Sequence, residues 1–242
     1  MNLCIDIGNT RAKIGIFHGT QLLEKLTVPT VSETDIRALS EKYSLEGAVW
    51  SNVAGANEWR KHFSGATFPV LEFTHSTPLP IVSQYKTPET LGLDRLAAVT
   101  GASTLYPGTN CLVIDLGTCI KYEVLNKNGV YLGGNIAPGA AMRIRAMNHF
   151  TARLPEVEMN MPVSPIGTST ETALQNGALL GVLLEMKGYI GLIQATFPGI
   201  KVILSGGDAA FFASQPALGT VTVQPDLILH GLNSILKHNQ SV

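Results

Sequence analysis

Two aspartates sit in matching settings. Ile5-Asp6-Ile7-Gly8-Asn9-Thr10 and Ile114-Asp115-Leu116-Gly117-Thr118 each close one apolar run and lead into another. A carboxylate at the end of a buried strand is costly unless something pairs with its charge. Two of them in equivalent places suggest a shared cation, most often Mg²⁺ with phosphates. The glycine after each lets the backbone turn tightly and approach a ligand. Asn9, Thr10 and Thr118, with nearby backbone N–H groups, could cradle phosphate oxygens, and Lys13 lies close enough along the chain to reach the same anion. The plainer reading of either couplet is a hairpin whose Asp caps its own turn.

Two further patterns could carry chemistry. Gly92-x-Asp94-Arg95 pairs a carboxylate with a planar donor, and Ser205-Gly206-Gly207-Asp208 follows an apolar run and precedes a helix start. Alone, Asp94-Arg95 reads as a surface pair in the first turns of a helix, where Asp complements the dipole. Glycines at a strand-to-helix junction admit a nucleotide, and they also serve ordinary turns. No Walker-type or Gly-x-Gly-x-x-Gly loop is present, nor a Gly-x-Ser-x-Gly elbow or His-Glu-x-x-His pair. The six histidines have no ligand spacing, and Arg143, Arg145 and Arg153 read as a solvated helix face or an interface.

The elements that position these groups follow from periodicity. Leu3–Ile7, Ala12–Phe17 and Gln21–Val28 read as a β-meander, followed by a helix at Ser32–Tyr43 capped by Ser32 with Asp35 three residues on. Gly47–Ser51 and Phe68–Phe73 read as strands with a helix near Glu58–Phe63 between them. Thr74–Pro88 is a polar surface crossing, and Thr90–Leu105 a helix. A second meander runs through Cys111–Asp115, Ile120–Leu125 and Val130–Ile136, with Asn128-Gly129 as a hairpin turn. Pro138 is expected to open a helix. Glu171–Gln194 is a long helical pattern whose Leu179–Met186 stripe reads as core or dimer interface. A strand at Lys201–Leu204 and a closing helix at Pro225–Lys237 follow. The echo predicts two similar α/β halves, 1–109 and 110–242, joined near Tyr106–Asn110, with a cleft between.

The 242 residues are 45% hydrophobic and 14% charged, which suits a compact enzyme rather than a disordered chain. A formal net charge of −1 offers no field to attract nucleic acid or an anionic membrane. Three widely spaced cysteines read as buried hydrophobes in a reducing compartment. The start lacks a signal-peptide pattern, and the most apolar stretch, Gly177–Leu184, falls short of the roughly 20 residues of a membrane span. A cytoplasmic protein is expected.

The set Asp6-x-Gly8-Asn9-Thr10, Thr87-Pro88-Glu89-Thr90-Leu91-Gly92-x-Asp94-Arg95, Asp115-x-Gly117-Thr118, Gly133-Gly134-x-Ile136-x-Pro138-Gly139 and Ser205-Gly206-Gly207-Asp208 resembles type III pantothenate kinases. The resemblance runs in order from residue 1 to about residue 235. It implies a duplicated ribonuclease-H-like (actin-like) α/β fold, a homodimer, and ATP-dependent phosphorylation of the pantothenate 4′-hydroxyl, the first step toward coenzyme A. It further implies Asp94 as general base, Tyr85, Gly92 and Arg95 on the substrate, and Thr170 closing the pantothenate pocket of the neighbouring subunit. Asp6 and Asp115 would bind Mg²⁺, directly or through water. Gly8, Asn9, Thr10, Lys13, Gly117 and Thr118 would face the triphosphate, with Gly206 and Gly207 near the nucleoside.

The resemblance also implies activation by a monovalent cation, K⁺ or NH₄⁺, and there the chain departs from the pattern. Where the family carries Ala-x-Thr-x-Asp, this chain has Cys119-Ile120-Lys121-Tyr122-Glu123. Glu123 would be the monovalent-cation ligand, and the Lys121 ammonium could stand in for that cation; alternatively Lys121 points outward from an exposed strand face. Two other readings remain open: another actin-like kinase acting on a sugar or carboxylate, and a non-enzymatic transcription accessory factor of the same family. The retained aspartates weigh against the second.

Overall fold

In the computed structural model, residues 1–8, 11–52, 59–161 and 164–240 are described. The first unit opens with β1 (Asn2–Ile7), β2 (Ala12–His18) and β3 (Gln21–Val28), then α1 (Glu33–Lys42), β4 (Gly47–Asn52) and β5 (Val70–Glu72). Its sheet order is β3-β2-β1-β4-β5. β2 runs antiparallel to both β1 and β3, whereas β4 is parallel to β1 and β5 parallel to β4. Central β1 is buried at every position, as its unbroken apolar run demands of a strand covered on both faces. Leu3, Ile5, Ile7, Ile14 and Ile16 form the core with Ile36 and Leu39 of α1. The predicted cap holds, with Ser32 and Asp35 bonded reciprocally.

Within the expected surface crossing lies a two-residue strand, β6 (Val82–Ser83), and α2 (Leu93–Leu105) follows. The second unit repeats the plan. Its strands β7 (Cys111–Leu116), β8 (Cys119–Leu125) and β9 (Val130–Pro138) are followed by α3 (Ala140–His149), α4 (Thr170–Gln175), α5 (Gly181–Thr196), β10 (Lys201–Ser205), α6 (Ala209–Ala213) and β11 (Thr222–Val223). Apart from β6 at the edge beside β9, the order β9-β8-β7-β10-β11, with β10 parallel to β7 and β11 parallel to β10, matches the first sheet strand for strand. The duplicated ribonuclease-H-like fold is therefore present, and the Asp-x-Gly echo marks equivalent strand ends.

Three expectations need correction. Pro138 ends β9 instead of opening a helix; Gly139 is the cap and α3 starts at Ala140. The compact units are 1–108, 125–133 and 226–242 against 109–124 and 134–225, so the 110–242 half gives up two segments. The reason is packing: Val82 pairs with Val130 at the start of β9, and the last helix, α7 (Leu227–Gln240), lies on α2. There, a Cβ on Gly101 would stand 2.1 Å from the Leu227 carbonyl oxygen, and one on Gly231 1.8 Å from that of Ala97. Only paired glycines allow two helix backbones so near each other. Finally, α4, a π-helical turn at Asn176–Leu180 and α5 form one 27-residue helix, Thr170–Thr196, long and apolar enough by length and composition to cross a membrane.

Candidate active site

In the first unit, Asp6 is the next-to-last residue of β1 and is 7% exposed. Its register partners are Lys13 on β2 and Ser51 on β4, so a base and a hydroxyl flank it on the same face of the sheet. Ser51, which sequence reasoning missed, is fully buried and its Oγ has no hydrogen-bond partner among the described residues. Gly8 turns the chain by donating its N–H to the Arg11 carbonyl at 3.1 Å. The expected phosphate contacts Asn9 and Thr10 lie outside the described residues.

The Gly92-x-Asp94-Arg95 motif forms the first turn of α2, with Gly92 as cap. Asp94 Oδ1 accepts the Arg95 backbone N–H at 2.9 Å, which folds the carboxylate over the helix end. Arg95 is 4% exposed, not a surface residue. Its Nη1 donates to the Tyr85 hydroxyl at 3.4 Å and its Nη2 to the Tyr131 hydroxyl at 3.1 Å. The guanidinium lies 5.2 Å from the Tyr85 ring centre, and the two tyrosine rings stack at 6.1 Å. Tyr131, also missed, enters because β6 pairs with the start of β9: the Gln84 N–H donates to the Tyr131 carbonyl at 2.9 Å. Nothing in the polar Thr74–Pro88 run announces that two-residue strand.

In the second unit three motifs converge. Asp115, next to last in β7, is 8% exposed, with Ser205 of β10 as its register partner. Gly206, at φ +89°, leaves no room for a side chain: a Cβ would stand 2.2 Å from the Leu116 oxygen and 2.7 Å from Asp115 Oδ1. Gly139 seats against the same loop, donating its N–H to the Thr118 carbonyl at 3.1 Å, and a Cβ there would meet the Gly117 oxygen at 2.1 Å. Thr118 and Gly207 are exposed, while burial pushes the Asp208 carboxyl above its usual value. The result is a rim of bare backbone around one carboxylate, which suits a phosphate or a nucleoside.

Lys121 does not point outward. Its Nζ lies 2.7 Å from Asp115 Oδ2, with both side chains largely covered. Glu123 is fully buried, and a Cβ on Gly134 would stand 2.2 Å from its Oε2. Thr170 lies exposed at the start of α4, behind the Ser169 cap. Arg143 is not a solvated helix face either: its Nη2 donates to Glu185 Oε2 at 2.5 Å and its Nε to the Pro138 carbonyl at 3.0 Å. Glu185 also accepts the Tyr122 hydroxyl at 2.8 Å. Burial and that bond hold the Tyr122 phenol far above its ordinary pKa.

The residues fit Mg²⁺ only in part. Among the described residues no three His, Cys, Asp or Glu gather as a metal cage. Asp6, beside the unpartnered Ser51 hydroxyl, suits an ion that keeps most of its waters and takes phosphate oxygens. A monovalent cation does not fit at Asp115, because an ammonium already bonds that carboxylate.

A family model described as type III pantothenate kinase matches residues 2–191. The chain is 41% identical to the type III pantothenate kinase of Phocaeicola vulgatus over the full length of both, and 40% identical to that of Bacteroides fragilis over 99% of this chain and 98% of the relative. A solved Campylobacter jejuni protein assigned to the Baf family of transcriptional activators is similar in fold, with a TM-score of 0.62 at 23% identity, covering 99% of this chain and 100% of that one. The activator of 2-hydroxyisocaproyl-CoA dehydratase from Clostridium difficile, solved with ADPNP, gives 0.53 at 14% identity, covering 99% and 97%.

Proposed function

Because this chain belongs to the type III pantothenate kinase family, whose reaction moves the γ-phosphoryl group of ATP to the 4′-hydroxyl of pantothenate, we propose that Asp94 is the base of that reaction. The observation that carries the reading is Asp94 fixed on the first turn of α2 next to a buried Arg95 that two tyrosines hold. Asp94 takes the proton of the 4′-hydroxyl as its oxygen bonds to phosphorus, and ADP leaves with the electrons of the broken bond. Arg95, aided by Tyr85, receives the pantothenate carboxylate, a partner for which a planar guanidinium is suited. Gly92 keeps the approach to Asp94 open.

Asp6, Gly8, Asn9, Thr10, Lys13, Gly117 and Thr118 serve the triphosphate, and Gly206 and Gly207 the nucleoside. Mg²⁺, when bound, neutralises charge on the phosphates, and Asp6 is the residue that would hold it, through water. We assign Asp115 to Lys121 instead. Turnover is therefore expected to be equal in sodium and potassium buffers, and strong potassium activation would overturn that point.

The 27-residue helix belongs to a homodimer in this reading, with Thr170 closing a pantothenate pocket on the neighbouring subunit. Leu184 and Leu192 are 57% and 68% exposed on it. The Glu185–Arg143 pair in its middle ties it to α3, which argues against a membrane span. The cytoplasm, where the three cysteines stay as free thiols, is the proposed location.

The test is ADP release with ATP, Mg²⁺ and pantothenate, run beside Asp94→Asn. Pantothenate-dependent turnover that collapses in the variant supports both substrate and base; a folded protein without turnover would sink the reading.

A further inference from the structure

The second unit sets the Lys121 ammonium against the Asp115 carboxylate. Lys121 Nζ stands 2.7 Å from Asp115 Oδ2, with side-chain exposures of 20% and 11%. Asp115 Oδ1, its other oxygen, packs so closely on Gly206 that no side chain could come between them. Gly117 and Gly139 complete a rim without side chains, and Thr118 is exposed on it. A bare carboxylate there would repel an anion, and one joined to an ammonium does not.

From this geometry we infer that Lys121 is a nucleotide-phosphate-binding residue and that Asp115 is the positioning residue which holds its ammonium, rather than a metal ligand. The inference rests on the nucleotide reading of this unit and deepens it. Lysine acts on phosphate as a point charge on a flexible stem, so it must be aimed. The short bond to Asp115 does the aiming, with the carboxylate itself fixed by the β7–β10 pairing of Asp115 with Ser205. One consequence is that the polyphosphate meets an ammonium on this side, and no bare carboxylate, even without a divalent ion.

The experiment measures ADP affinity by titration calorimetry, with EDTA and again with Mg²⁺, on the full chain. The variants are Lys121→Met, Lys121→Arg, Asp115→Asn and the double Lys121→Met/Asp115→Asn. Without Mg²⁺, Lys121→Met is expected to weaken ADP by about tenfold or more, the scale of a lost hydrogen bond to a charged group. Lys121→Arg keeps affinity within about threefold, because the charge survives. The double variant recovers part of the Lys121→Met loss, because the unpaired carboxylate is gone, and stays below wild type, because the ammonium is gone too; a lysine that merely neutralised Asp115 would give full recovery. Thermal melts accompany each titration, and Asp115→Asn serves if Lys121→Met fails to fold. With its ammonium unaimed, it too is expected to weaken ADP in EDTA.

Wild-type affinity in a folded Lys121→Met would overturn the inference. So would an Asp115→Asn variant that binds ADP normally in EDTA and loses affinity only with Mg²⁺, since that marks a metal ligand. Wild-type protein that turns over pantothenate while either result holds leaves the kinase reading standing. A folded wild type that binds no ADP under any condition would overturn both.

Discussion

Gly92 and Asp94 are in near collision: a methyl group on the Gly92 α-carbon would stand 2.5 Å from Asp94 Oδ1. The Gly92 backbone, at φ −55° and ψ 130°, is open to any residue, so the glycine is required by its neighbour's carboxylate and not by its own conformation. Gly92→Ala should therefore displace the base while leaving the fold intact. A drop in kcat of roughly 10- to 100-fold is expected, the scale of a misplacement below about 1 Å. Melting within about 2 °C of wild type and near-normal ADP binding would accompany it; full activity would contradict the placement of Asp94.

Tyr131 is buried and accepts a hydrogen bond from Arg95 at 3.1 Å, while Tyr85 is partly exposed and accepts one at 3.4 Å. Tyr131→Phe should cost about 1–2 kcal/mol of stability, since it removes an acceptor for a buried charge. It should also raise the pantothenate KM more than it lowers kcat. Tyr85→Phe should be milder in stability. Denaturant midpoints and steady-state kinetics decide the order.

Gly101 and Gly231 keep α2 and α7 in contact, so Gly101→Ala and Gly231→Ala should each destabilise by about 3 kcal/mol or more, at the upper end of overpacking costs. The double variant should cost less than the sum, because one separation of the helices relieves both clashes. Chemical denaturation measures all three.

His230 in α7 packs edge-on against Phe17, and burial holds its imidazole below the ordinary histidine pKa, with the Asp226 carboxylate opposing. A depressed folded-state value means that the neutral ring is favoured in the native protein. Its stabilisation is full above the unfolded value near 6.5 and is lost as pH falls through the folded value. Stability should thus fall on acidification from about pH 7 to 5, and His230→Gln should flatten that slope. Melts across the range read it.

The fold was open to sequence reasoning wherever one element sufficed. Apolar and alternating runs placed β1 to β3 and β7 to β9 within a residue or two, and the two Asp-x-Gly couplets marked the duplication. The Ser32–Asp35 cap was legible for the same reason. What escaped depends on distant partners. Tyr131 looks like any strand aromatic until β6, two residues long, brings Tyr85 alongside it. Ser51 and Ser205 flank the aspartates only through parallel pairing. Lys121 could be read inward or outward until Asp115 was found 2.7 Å away. The return of α7 to α2 left only two glycines as its sign, and glycines signal many things.

That return has a bearing on how the chain is made. A ribosome emits residues 109–124 and 134–225 in full before it emits α7, so the second unit has all its parts while the first still lacks its last helix. Until then Ala97 and Gly101 of α2 have no partner helix to pack against. The first unit, begun earliest, is finished last, and loss of the final dozen or so residues would injure the end of the molecule that was synthesised first.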